Sequence, residues 1–199
     1  IQAADTGWRN PMSDNATGGD GFEINPTYAY ADDNASAENH GGLGDSHAFY
    51  DFGLSVPSGA TIEGIQLRLD WYLDSDNGTS SMSAELSWNG GDNWTSPQSD
   101  AVETTTEHTV YLGGSTDNWG RSWAPDGFSN ADFRVRITCN SDAPGTIFYL
   151  EYVSVIVYYA PVHHLEVTGG STMTAGGSHV LTVTARDTLG NVAVNYSGL

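Results

Sequence analysis

The side chains best placed to meet a ligand are aromatic: the chain holds 6 Trp and 10 Tyr. Trp94 follows the Gly90-Gly91 turn, and Trp119 and Trp123 flank Gly120-Arg121 in a loop. Tyr72 and Tyr111 fall on the solvent phase of alternating segments. Exposed rings of this kind stack on the apolar face of a sugar while polar neighbours fix its hydroxyls. Trp94, Trp119, Trp123, Tyr72, Tyr111 and Arg121 are therefore the candidate carbohydrate-binding residues. Trp119 and Trp123 have a second reading, as loop anchors that plug an end of the fold. Trp71 and Trp88 alternate with core residues and are expected to be buried.

Oxygen donors come next. Asp14 and Asp20, and then Asp32 and Asp33, offer carboxylates at short spacing in predicted loops. Calcium takes six to eight hard oxygens of this type, so these four are the candidate Ca2+ ligands, and no other cofactor is implied. None of the loops has EF-hand spacing, and a solvated acidic loop is the plainer reading. Glu151 stands apart as a buried charge. It shares a phase with Val153, Val155 and Val157 in a segment expected to be central. A buried carboxylate needs a partner, which Arg68, Arg134 or a calcium ion would supply.

Catalytic patterns are missing. The chain has no His-Glu-x-x-His pair, no Gly-x-Ser-x-Gly elbow and no phosphate loop. His40 and His47 flank a Gly-rich loop and His163-His164 sit at a linker, where solvated or locally bonded imidazoles are expected. The reading is of a protein that is not an enzyme.

Charge narrows the partners. The formal net charge is −19, no lysine occurs, and all 6 cationic residues are arginine. Such a surface repels nucleic acid and anionic membranes. No apolar run is long enough to insert in a membrane. Sequons at Asn15, Asn34, Asn77, Asn93 and Asn195, and the lysine-free acidic surface, fit a secreted or cell-surface setting. Cys139, the single cysteine, alternates with Phe133, Val135 and Ile137 and reads as a buried thiol.

The elements that position these residues are strands. Ile65, Leu67, Leu69, Trp71 and Leu73 alternate with polar residues, a period of two that puts one set on the core face. Met82, Ala84, Leu86 and Trp88 do the same, and Asn77-Gly78 between the two runs is a hairpin signal. Weaker strands are expected over Thr27–Asp32, Ser46–Gly53 and Thr106–Leu112, with residues 1–26 irregular. Phe133–Cys139 and Ile147–Tyr159 complete the set, the last apolar on nearly both faces. Many short strands separated by Gly- and Asn-rich turns predict an all-β, antiparallel, jelly-roll-like β-sandwich over residues 1–161.

Particular segments carry a resemblance. Gly7-Trp8-Arg9-Asn10-Pro11, Phe52 to Ile65, Leu86 to Thr95, Leu112 to Trp123 and Glu151 to Tyr159 resemble an uncharacterised β-sandwich module of large bacterial and archaeal surface proteins and phage-associated proteins. The resemblance implies an extracellular, multi-domain setting and brings no settled activity. Residues 12–25 depart from its pattern and look like an insertion. Leu181 to Asn191 resembles the start of a bacterial immunoglobulin-like repeat, so 162–199 is expected to be a partial immunoglobulin-like β-sandwich, its first strands only. Three strands are expected there, over Leu165–Val167, Leu181–Arg186 and Val192–Tyr196.

Two functions follow. One is a non-catalytic recognition or adhesion module for a polysaccharide or glycan, part of a larger modular surface or secreted protein. The other is a structural subunit of an extracellular filament, surface layer or fibre. There, residues 162–199 would pair with another copy or with further domains of the same chain.

Overall fold

The computed structural model describes residues 4–41, 44–169, 177–178, 180–187 and 190–192. The strands are β1 (Ala4–Asp5), β2 (Ser13–Gly18), β3 (Ala37–His40), β4 (Ser46–Tyr50), β5 (Thr61–Leu73), β6 (Ser80–Trp88) and β7 (Gln98–Asp100). They continue with β8 (His108–Gly114), β9 (Phe133–Ser141), β10 (Ile147–Ala160), β11 (Val162–Gly169) and β12 (Leu181–Asp187). Every strand pairing is antiparallel. One five-stranded sheet runs β1-β10-β5-β8, with β3 also on β10, and the other runs β2-β4-β9-β6-β7. The fold is an all-β antiparallel sandwich, as the alternation predicts.

The two sheets bury their inner faces against each other. Leu67, Leu69 and Trp71 of β5, and Val153, Val155 and Val157 of β10, meet Met82, Ala84 and Leu86 of β6 and Val135, Ile137 and Cys139 of β9 in one cluster. Trp71 is fully buried, and Asp100 accepts its indole N–H at 3.0 Å, so the one polar group of the ring is satisfied. Burial pushes the Cys139 thiol well above its ordinary range, which leaves it an inert core side chain.

Local expectations depart from this frame at several places. Asn77-Gly78 makes a turn, yet β5 and β6 on either side of it belong to different sheets. Gly78 takes a φ of 95°, and Asp142 accepts the Thr79 N–H at 2.6 Å, which carries the chain around the corner of the sandwich. The stretch expected as a strand over Thr27–Asp32 is a 3-10 turn, Pro26–Ala29, because Pro26 pre-sets the first helical φ. Residues 1–26 are not wholly irregular: β1 and β2 are edge strands, and β2 occupies the stretch that looks like an insertion. Trp88 is half-buried rather than buried, since it ends β6 at the rim of the sandwich.

Of the segment 162–199, the described part is an antiparallel ribbon of β11 and β12. Of the third strand expected over Val192–Tyr196 only Val192 is described, in an antiparallel bridge with Arg186; residues 193–196, and 188–189 of the expected turn, lie outside the described residues. Among those residues no helix is long and apolar enough to cross a membrane.

Candidate functional site

The outer face of the β10-β5-β8 layer carries two open aromatic rings, Trp8 and Tyr111. Side chains in register there are Gln66, Arg68, Asp70 and Tyr72 of β5, Tyr111 and Thr109 of β8, and Ser154 and Ile156 of β10. Tyr111 lies on its solvent phase as expected and is 54% exposed. Trp8, just before the bridge between Arg9 and Val155, is 40% exposed. β10 and β5 separate these two residues, yet their ring centroids are 5.8 Å apart at 47°. The rings must therefore lean toward each other across the sheet. The outward-phased Ser154 and Ile156 between them are buried.

Polar groups interleave with the rings. The Arg68 guanidinium lies 5.0 Å from the centre of the Tyr152 ring and donates to Asp32 at 2.8 Å and to Asp70. Tyr158 donates to the Gln66 carbonyl at 3.2 Å. Further along, Tyr72 stacks on Tyr149 with centroids 4.6 Å apart and planes 12° from parallel. Aromatic faces, a cation and amide groups thus share one sheet surface.

The other predicted rings are covered. Trp119 is 4% exposed and Trp123 5%. The Trp119 indole donates to the Ile65 carbonyl at 3.0 Å, and that of Trp123 to Asn118 at 2.7 Å. At Gly113 a side chain would come within 2.6 Å of the Trp119 indole nitrogen. The loop tryptophans therefore anchor the end of the sandwich and present no open platform. Trp94 is half-buried, with the Arg136 guanidinium 4.2 Å from its ring centre, and Arg136 pairs with Glu85 at 2.7 Å. Arg121 lies 3.4 Å from the Trp88 ring centre and 4.7 Å from that of Trp123. Clefts of about 240 and 290 Å³ adjoin it. A guanidinium on a ring takes the face a ligand would use.

The acids sort in the same way. Asp14 accepts from Tyr30 at 2.5 Å through one oxygen and from His47 at 2.7 Å through the other, so both are engaged inside the fold. Burial and Asp14 push the Tyr30 hydroxyl far up. His47 has a settled tautomer: Nδ1 accepts the Phe22 N–H at 3.1 Å, so Nε2 carries the proton and donates to Asp14. Burial lowers its pKa despite the carboxylate. Asp20 faces Asp45, whose carboxyl is pushed up by burial and then by Asp20. Asp33 accepts the Ala35 N–H at 3.1 Å in a local turn.

Glu151 is buried, as expected, but not on the expected face. β10 shifts register between Leu150 and Tyr152, so Leu150 pairs with Trp71, Tyr152 with Asp70, and Glu151 is the extra residue. Such a bulge turns two successive side chains to one side. Glu151 joins Asp70 and Asp32 on the outer face, with ligand oxygens of the three within 4.8 Å of one another. Neither expected arginine bonds it: Arg68 pairs with Asp32 and Asp70, and Arg134 lies against Tyr50 and Asn15 on the other sheet. Its Oε1 accepts the Asn34 N–H at 2.5 Å, offered by a left-handed residue with φ of 66°. Desolvation, and then the facing Glu151, push the Glu107 carboxyl up to about 7.

Trp8, Tyr149, Tyr152 and Gln66 are the members of this face that the sequence reading passes over. Trp8 sits in an irregular stretch with no period to phase it, and Tyr152 lies beside the bulge.

No family model matches the chain. No curated protein matches it. Among solved structures it is similar to truncated AlyQ with CBM32 and alginate lyase domains, at 13% identity and a TM-score of 0.45, over 80% of this chain and 35% of that one. It is similar to the xylan-binding module CBM15, at 14% identity and a TM-score of 0.42, over 79% and 97% of the two chains. The CBM32 of AlyQ in complex with 4,5-unsaturated mannuronic acid is a further one, at 12% identity and a TM-score of 0.41, over 74% and 96%. At these values the likenesses assign no residue and no ligand to this chain.

Proposed function

We propose that the chain is a non-catalytic glycan-recognition module, displayed outside the cell, whose binding surface is the outer face of the β10-β5-β8 layer. The observation that carries this reading is the Trp8–Tyr111 pair: two exposed rings from separate elements, inclined toward each other, with no arginine stacked on either. Sugars present an apolar ring face and a rim of hydroxyls. The rings supply the first contact, and Gln66 and Arg68 at the β5 positions beside them supply the second. A solvent-facing sheet surface suits an extended polysaccharide better than a small enclosed ligand. Of the residues picked out from the sequence, Tyr111 and Tyr72 belong to this surface, and Trp94, Trp119, Trp123 and Arg121 do not.

The test is a glycan array followed by titration calorimetry on the polysaccharides that bind. Saturable binding that falls in Tyr111→Ala supports the proposal. A folded chain that binds none of a broad plant, algal and microbial panel overturns it.

A second reading rests on a different observation. The ribbon of β11 and β12 leaves Leu165, Val167, Leu181 and Val183 between 49 and 60% exposed on one face. That favours a structural subunit whose 162–199 segment docks on another copy or another domain. Sedimentation velocity separates the two: concentration-dependent assembly lost in Val167→Asp supports the structural role, and a monomer at all concentrations argues against it.

A further inference from the structure

We propose that Asp32, Asp70 and Glu151 form a divalent cation site, best suited to Ca2+, on the outer face of the β10-β5-β8 layer. This does not depend on what the aromatic pair binds. Three observations converge on it.

The first is spacing. One ligand oxygen from each of the three carboxylates lies within 4.8 Å of the other two. Calcium holds its oxygens at about 2.4 Å in a flexible geometry, so carboxylates this close need at most a small side-chain adjustment to share one Ca2+. Magnesium demands shorter, octahedral contacts, and imidazole or thiolate donors that zinc prefers are absent from the trio.

The second is an unanswered oxygen. Glu151 is 1% exposed, and its Oε2 is buried with no hydrogen-bond partner. Asn34 takes the other oxygen. The Glu107 carboxyl faces Glu151 and can bond it only if a proton lies between them. A buried carboxylate oxygen left without a donor is costly, and a cation is a partner that three converging carboxylates can hold together.

The third is the charge ledger. Asp32, Asp70 and Glu151 carry three formal charges, and the cation that bonds the group is Arg68, paired with Asp32 and Asp70. The two charges left over match one divalent ion. The bulge at Glu151 and the left-handed turn at Asn34 are the local backbone features that bring β10 and the 32–34 loop to this point.

The experiment is calorimetric titration of the chelator-treated chain with CaCl2 in physiological salt, with melting temperature read in parallel. The expected result is one ion per chain and a rise in melting temperature that chelator reverses. Glu151→Gln should weaken the affinity roughly tenfold or more. Asp32→Asn, at a partly exposed member of the trio, should do the same if Glu151→Gln fails to fold. Asp33→Asn removes an equal charge one residue away and should leave the affinity unchanged. Absence of saturable uptake by the folded chain overturns the proposal, as a proton shared between Glu107 and Glu151 would then suffice. Equal loss in Asp33→Asn overturns it too, because the chain's diffuse negative charge would then be the attractant.

Discussion

The two outer faces of the sandwich carry similar residues and arrange them oppositely. On the β4-β9-β6 side, Arg134 lies 4.2 Å from the ring centre of Tyr50 and Arg136 the same distance from that of Trp94. Arg136 is further held by Glu85. That face is closed: rings, cations and acids answer one another. Strands β10, β5 and β8 contribute one arginine, Arg68, which serves two carboxylates and one ring, and Trp8 and Tyr111 remain open. In a chain with 6 cationic residues and 25 acidic ones, where an arginine sits decides which aromatic is available. An aromatic count says little about binding, and the pairing of each ring says much.

That contrast can be broken experimentally, and the largest effect should come from a ring that belongs to neither outer face. Trp119→Ala should cost about 3–5 kcal/mol of unfolding free energy, the penalty for emptying a buried Trp site, seen as a lower denaturant midpoint. If Trp119 is instead a ligand platform, stability will hardly move. Next, Tyr111→Ala and Trp8→Ala should each weaken glycan binding by about 2 kcal/mol, roughly thirtyfold, as centrally placed aromatic anchors do. Their cost in stability should stay within about 0.5 kcal/mol, the range of surface changes. On the closed face, Arg136→Ala should cost about 1 kcal/mol through the lost Glu85 pair and ring contact, without altering glycan affinity.

The smallest effect concerns acid. His47 is held neutral by burial, so its folded pKa lies below the ordinary 6.5. The unfolded chain takes up a proton as pH falls through that value, and the folded one resists until lower pH. Stability present above about 6.5 should therefore fall as pH drops below it. A chemical-denaturation series between neutral and mildly acid pH should show a shallower slope in His47→Gln.

The core was legible because alternation is a direct imprint of a half-buried strand. Ile65 to Leu73 and Phe133 to Cys139 face inward as their period requires. What the sequence hid was parity and partnership. The bulge beside Glu151 adds one residue and moves that side chain to the other face of the sheet, and no residue type announces it. Asn77-Gly78 announces a turn without saying which sheet the next strand joins. The tryptophans around Gly120 look alike whether their indole N–H groups meet a ligand or the backbone, and only the distances to Ile65 and Asn118 decide. Of the acidic candidates, Asp32 joins a cluster, whereas Asp14 spends both oxygens on Tyr30 and His47.

The most direct test sets the two faces against each other in one assay. Trp8→Ala and Trp94→Ala are titrated by calorimetry with the polysaccharide that the unaltered chain binds best. Trp8→Ala is expected to lose most of the affinity and Trp94→Ala to keep it. Loss in Trp94→Ala with binding retained in Trp8→Ala would contradict it, and would move the binding surface to the opposite sheet.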